Sequence, residues 1–321
     1  MPSQITRRAF LAKAGSLATV AVANPPLWAR PDSLGARPLR LGGPIFIKSE
    51  DPADLAREHR RMGYRAAYAP QVGIHETDRI TAIIKEFAAA DVALAEVGAW
   101  ENMLDPDLDK RRQNLAYVQE HLALAELLGA RCCVDIAGSF NPHFWCGPDP
   151  KNMSEEFIDL TVENCRHILD AVKPTRTKFS IEMMPFSFPT GPDEYLQLIK
   201  RVDRKGFAVH LDACNVMNSP ERMYHNGAVI EECFRKLGPW IVSCHAKDLS
   251  WEDYYEVSLR EVIPGRGQLD YRTYLRGISV LQTDAPLMLE HLETAEQYDE
   301  GRHYIQKVAH EIGLSFGAEG T

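Results

Sequence analysis

From residue 38 onward, short apolar or β-branched runs alternate with longer amphipathic stretches, eight of each, and no linker interrupts them. The strand-like runs are residues 39–46, 65–69, 92–99, 131–137, 178–183, 207–213, 240–246 and 287–291. The helix-like stretches are residues 52–62, 78–90, 109–128, 154–172, 192–202, 227–237, 271–281 and 295–312. Gly63, Gly129, Gly206, Gly238 and Gly313 follow helices where a left-handed cap is wanted, and Ser154 with Glu155 and Glu156 opens one as a charged N-terminus. Eight such units in roughly 280 residues match an α/β fold of the (β/α)8 TIM barrel type. An open doubly wound sheet is the alternative. It usually carries a glycine-rich fingerprint after its first strand, and Gly42-Gly43-Pro44 does not meet that pattern.

The barrel is expected over residues 38–315 as a single domain, with a short tail at 316–321. Ahead of it, Thr6-Arg7-Arg8-Ala9-Phe10-Leu11-Ala12-Lys13, a weakly apolar run and Ala21-Val22-Ala23 resemble a twin-arginine export signal over residues 1–23. Residues 24–37 read as a linker. The apolar run is too short to span a bilayer, which takes about 20 residues, so no stable membrane anchor is expected. The resemblance implies recognition by the twin-arginine export machinery and a periplasmic or otherwise exported mature protein. Because that route carries folded proteins, it also hints at a site loaded before export. Seven cysteines, at 132, 133, 146, 165, 214, 233 and 244, form an odd set without C-x-x-C spacing, which argues against a zinc-finger or disulfide scaffold. Cys132 and Cys133 are neighbours in a strand, point to opposite faces and read as buried thiols, although one or two disulfides stay compatible with a periplasmic address.

Charged residues end four successive strands: Glu182 in Phe179-Ser-Ile-Glu, Asp212 in Val209-His-Leu-Asp, His245 in Val242-Ser-Cys-His and Glu290 in Leu287-Met-Leu-Glu. Their spacings of 30, 33 and 45 residues are one β/α unit each, and equivalent strand ends of a barrel face one rim. A charge ending an apolar strand is costly to bury unpaired, and one divalent cation would satisfy all four together. Three carboxylates and an imidazole suit Mn²⁺, Mg²⁺ or Co²⁺ better than a tetrahedral structural zinc. Mn²⁺ is the first choice and Zn²⁺ the last.

These four motifs, with His245-Ala-Lys-Asp248 and Pro264-Gly-Arg-Gly-Gln-Leu-Asp270, resemble the xylose isomerase-like TIM barrels of the sugar phosphate isomerase and epimerase group. The resemblance covers nearly all of the mature chain. It implies a metal site of Glu182, Asp212, His245 and Glu290 in which Glu182 and Glu290 are also the catalytic acid/base pair. One departure stands out: where the ketose epimerases place a substrate-holding His three residues after the strand-six Asp, this chain has Asn215. The endonuclease IV-type relatives use His there and an Asp-x-His after strand seven. This chain has neither, and its formal charge of −9 does not suit a DNA-binding face, so no nucleic acid is expected as partner. Enzymes of the superfamily often associate, which makes a homo-oligomer an expectation of the resemblance.

Further substrate-binding candidates lie in loops after the strands: Glu96 and Trp100 at strand three, Asn141 and His143 after strand four, Asn215, Lys247, which can also pair with Asp248 or Glu261, and Arg266 between two glycines. Aromatic and amide groups suit stacking on a carbohydrate and bonding its hydroxyls. Residues 250–263, rich in Trp, Tyr and acids, read as a lid, and His291 is expected to point away from the interior as a structural residue. The leading expectation is an isomerase or epimerase of a sugar, keto-sugar or sugar acid that abstracts a proton beside a carbonyl through a metal-stabilised enediolate. The same pocket also suits a lyase or dehydratase of an oxidised sugar or glycoside. A non-catalytic sugar-binding barrel is the third reading.

Overall fold

The computed structural model describes residues 37–317, so the export-signal motif, most of the linker and the last tail residues lie outside the described part. In chain order the elements are β1 (Leu41–Gly42), α1 (Pro52–Arg61), β2 (Ala66–Tyr68), α2 (Thr77–Ala89), β3 (Ala93–Gly98), α3 (Leu108–Leu128) and β4 (Cys132–Ile136). They continue as α4 (Glu155–Val172), β5 (Phe179–Glu182), α5 (Pro192–Val202), β6 (Phe207–Asp212), α6 (Pro220–Tyr224), α7 (Asn226–Leu237) and β7 (Ile241–Ala246). The last are β8 (Asp248–Trp251), β9 (Leu259–Val262), α8 (Tyr271–Ser279), β10 (Leu287–Leu289) and α9 (Ala295–Glu311). Eight parallel strands close in the order β1-β10-β7-β6-β5-β4-β3-β2, which is a (β/α)8 TIM barrel. The β8–β9 hairpin stands outside the ring.

Helix starts follow their side-chain caps. Asp51, Asp107, Ser154, Asp270 and Thr294 each accept a hydrogen bond from a backbone N–H of the first turn, an arrangement worth about 1 kcal/mol per helix. Gly63, Gly129 and Gly313 adopt the left-handed backbone expected of them. Gly206 and Gly238 do not: Asp203 (φ 50°) takes the left-handed position before Gly206, and Gly238 (φ −45°) continues into a 3-10 turn. The strands are shorter than expected, because outside the ladder the chain turns at once into the βα loops; β1 is two residues where eight were expected. The acid-rich segment after β7, expected as a lid, forms the β8–β9 hairpin.

Alternation along the strands divides the molecule into two interiors. Val209 and Leu211 of β6, and Phe179 and Ile181 of β5, join the apolar core between sheet and helices. Their neighbours His210, Asp212, Ser180 and Glu182 are buried polar residues on the other face, inside the barrel. Lower in the ring, Ala66, Ala95 and Met288 form a small apolar cluster, and Met288 packs where any side chain at Gly42 would stand. Tyr residues on the helices pin the strand ends from outside: the Tyr274 hydroxyl faces the Leu211 and His245 carbonyls at 3.1 and 2.8 Å, and Tyr271 donates to the Lys247 carbonyl at 2.8 Å. All seven cysteines are free thiols, six of them buried. Among the described residues, no helix is long and apolar enough to cross a membrane.

Candidate active site

Register brings the four strand-end residues together. Asp212 of β6 lies opposite His245 of β7, Glu182 ends β5, and Glu290 directly follows β10, so the four occupy consecutive positions along one arc of the ring. His245 Nδ1 is 2.7 Å from Glu290 Oε1, 3.5 Å from Glu182 Oε1 and 3.9 Å from Asp212 Oδ2. One ligand atom from each of the four lies within 4.8 Å of the others.

The donor set fits a cation. Asp212 Oδ2, His245 Nδ1 and Glu290 Oε1 are buried and make no well-directed hydrogen bond, so they depend on positive charge held against them. Lys247, itself buried, supplies part of that charge: its ammonium is 2.6 Å from Asp212 Oδ2, 2.7 Å from Glu290 Oε1 and 3.9 Å from Glu182 Oε1. Three carboxylates against one ammonium leave two negative charges, which a divalent ion balances. The four groups can therefore hold a metal ion, with Lys247 beside it. Burial alone would disfavour the charged forms of His245 and Lys247. The surrounding carboxylates overcome that penalty and by themselves hold both pKa values well above the ordinary range; a bound divalent ion would displace the proton from His245 Nδ1. Burial likewise works against the ionised form of Glu290, but His245 and Lys247 pull its pKa below the usual value.

Glu96 was expected on the substrate side and lies beneath the site instead. One carboxylate oxygen accepts from His245 Nε2 at 2.9 Å, and the other accepts from His210 Nε2 at 2.7 Å and from the Ser243 hydroxyl at 3.2 Å. Burial would raise its pKa, yet His245 and His210 drive it well below the carboxylate range. Holding the far side of a ligand imidazole in this way fixes its ring and its tautomer. His210 escaped the sequence reading, although it stands two residues before Asp212 on the same strand face.

Asn215 donates to Glu182 Oε1 at 2.8 Å, so the residue that replaces the expected His orients a carboxylate. Trp100 lies over His245, ring centroids 6.1 Å apart, and keeps a left-handed backbone (φ 43°) that is uncommon for a bulky residue. Lys247 was expected to meet substrate or to pair with Asp248 or Glu261. Its close partners are Asp212 and Glu290, with Glu261 at 3.8 Å, while Asp248 accepts backbone N–H groups from Leu249, Gly265, Gly267 and Leu269.

Asn141 and His143 do not reach the pocket. Asn141 organises its own loop, accepting from the His143 and Phe144 N–H groups and donating to the Pro148 carbonyl, and His143 is exposed. Their neighbours Phe144, Trp145 and Cys146 line the cavity over the ligands, about 570 Å³ in volume. Arg266 is bound in a fork to Glu300 at 2.6 and 2.7 Å and lines a groove beside the site, with Glu261, Glu290 and His291. His291, read as structural, enters the site through its own left-handed backbone (φ 58°): Nδ1 meets Glu261 Oε2 at 2.9 Å and Nε2 lies 3.5 Å from Glu290 Oε2. No glycine marks that turn in the sequence.

Residues 57–308 match the family described as xylose isomerase-like TIM barrel. No protein of curated function matches the sequence. Among solved structures, a xylose isomerase-like TIM barrel protein from Mycobacterium smegmatis in complex with magnesium is 19% identical, with a TM-score of 0.60 over 84% of this chain and 96% of that one. D-psicose 3-epimerase of Clostridium cellulolyticum H10, solved with D-tagatose, is 14% identical, with a TM-score of 0.60 over 83% and 95%. The 3-keto-D-glucoside 4-epimerase of E. coli is 13% identical, with a TM-score of 0.60 over 84% and 99%. At these identities the likeness is one of fold.

Proposed function

We propose, from the premise that the chain belongs to the xylose isomerase-like TIM barrel family, that it is a divalent-metal-dependent isomerase or epimerase of a sugar or keto-sugar. The observation that carries this reading is the meeting of Glu182 and Glu290 at the two ends of a buried row whose four members, with Asp212 and His245 between them, bring one ligand atom each within 4.8 Å of the others. A divalent cation held by the four, Mn²⁺ by preference and otherwise Mg²⁺, Co²⁺ or Zn²⁺, would supply a Lewis acid for the oxygens beside the carbon being deprotonated.

The remaining work falls to side chains. One of the two glutamates takes a proton from carbon next to the carbonyl, and the other returns it; each such transfer is worth about 10²- to 10⁴-fold. Asn215 fixes the Glu182 carboxylate, and Lys247 and His245 favour the ionised form of Glu290. Trp100 over His245 shields that region from water. Return of the proton to the same carbon epimerises, and return to its neighbour isomerises. A leaving group beside the carbanion turns the same machinery to elimination, the second reading. We also take the protein to be exported to the periplasm by the twin-arginine route, on the strength of Arg7-Arg8 and Ala21-Val22-Ala23.

Proton NMR of keto-sugars incubated with the protein and Mn²⁺ in deuterium oxide separates these outcomes. Exchange of one carbon-bound proton is expected, and Glu290→Gln should slow it at least 10²-fold while the far-ultraviolet circular dichroism stays unchanged. Undiminished exchange in that variant would remove the two-carboxylate mechanism.

A further inference from the structure

The cavity above the four ligands has two unlike sides. Lys247, Glu261 and His291 stand on one; loops after β3, β4 and β5 build the other from Trp100, Phe144, Trp145 and Phe186. These four aromatic side chains are 38–54% exposed, an unusual concentration of large apolar surface left open to water next to a site. Backbone strain is spent on one of them: Trp100 holds its left-handed conformation with its indole where any side chain at Gly98 would stand.

Charge narrows the occupant further. No arginine lines this cavity; Lys247 is engaged by Asp212 and Glu290, His291 by Glu261, and Arg266, at a neighbouring groove, by Glu300. Within this cavity a phosphate or carboxylate on the substrate would therefore find no cation that an acid does not already hold; Arg260, 4.0 Å from Glu252, lines only the neighbouring groove. Nor does the aromatic side offer the hydroxyl partners a second sugar needs, since Asn141 is spent on its own loop and Asn215 on Glu182.

We propose that the substrate is an uncharged keto-glycoside with an aromatic aglycone, its oxidised sugar over Glu182, Asp212, His245 and Glu290 and its aglycone against Trp100, Phe144, Trp145 and Phe186. This assignment rests on the reading of the site as a sugar enzyme and names its substrate class. It accounts for why a wide apolar wall adjoins a polar floor, an arrangement a free hexose would leave half unused.

Equilibrium binding of matched phenyl and methyl glycosides of glucose, galactose, mannose and xylose to the Mn²⁺-loaded protein tests it. For at least one sugar the phenyl member should bind at least tenfold more tightly, and Trp145→Ala and Phe186→Ala should bring that ratio close to one without weakening the methyl member. Trp145→Leu and Phe186→Leu, checked by circular dichroism, guard against loss of fold. A ratio of one in all four pairs, no binding of any phenyl glycoside, or tighter binding of glucose 6-phosphate than of glucose overturns the proposal. Exchange on unglycosylated keto-sugars without a phenyl preference would sink this proposal and leave the isomerase reading. A phenyl preference with no proton exchange on keto-sugars or on a phenyl keto-glycoside would sink the isomerase reading and leave the binding site.

Discussion

The two rims of the barrel treat charge in opposite ways. Before the strands begin, Asp284 is flanked by Arg40 at 2.8 Å, Arg131 at 2.9 Å and Arg37 at 3.6 Å, and Asp91 is held by Arg40 and Arg65. Guanidinium groups outnumber carboxylates in this pair of clusters, so both acids are satisfied inside the chain. Where the strands end the ratio inverts: Glu182, Asp212 and Glu290 share one ammonium, and the excess is buried. Burying charge without full compensation costs stability. The first rim holds the barrel together; the second spends stability on a site that can take a cation.

Breaking the second rim from below should have the largest effect. Glu96→Gln removes a charge-assisted bond to His245 without touching the pocket, and Mn²⁺ affinity measured by calorimetry should fall about 10- to 100-fold with the fold retained. Unchanged affinity would mean that Glu96 does not position the ligand. Next comes the opposite rim. Asp284→Ala leaves three arginines facing one another and should cost about 1–2 kcal/mol in urea unfolding, with Mn²⁺ affinity and proton exchange unaltered. A loss of metal binding in that variant would end the division between the rims.

The smallest effect concerns pH. On the structural side, Glu126 of α3 accepts the N–H groups of Thr175, Arg176 and Thr177 ahead of β5, and the Thr175 hydroxyl. Burial would raise its pKa, but these hydrogen bonds bring it down to about 2. A depressed carboxylate contributes stability that is complete above its unfolded pKa, about 4.3, and is lost as pH falls towards 2. Because the group is largely solvated, the contribution is about 1 kcal/mol or less. Urea midpoints at pH 6 and pH 3 should therefore differ less in Glu126→Gln than in the parent protein; an equal difference would show that the carboxylate is not linked to folding.

How far the sequence carries differs between backbone and side chains. The eight units were legible because hydrophobic periodicity changes between strand and helix, and α5 (Pro192–Val202) falls on the range expected of it. Glu182, Asp212, His245 and Glu290 were legible because a charge closing an apolar strand is rare enough to ask for a partner. Which way a loop side chain turns was not. Asn141 and Phe144 are three residues apart, yet one braces the loop and the other faces the cavity, a choice made by hydrogen bonds within that loop. Glu96 misled for a related reason: a strand-end reading could not tell a residue on the rim from one a layer beneath it, where two imidazoles wait.

Asp248 has a consequence for variation. A single carboxylate gathers the N–H groups of Gly265, Gly267 and Leu269, and a side chain at Gly267 would collide with it, so the start of the hairpin and the loop that follows are riveted at one point. Beyond that rivet the tip, with Tyr254, Tyr255 and Val257, stands in solvent. Length and composition there are free to drift, and the hairpin tip is a natural place to graft a tag or an added module without disturbing the chemistry below.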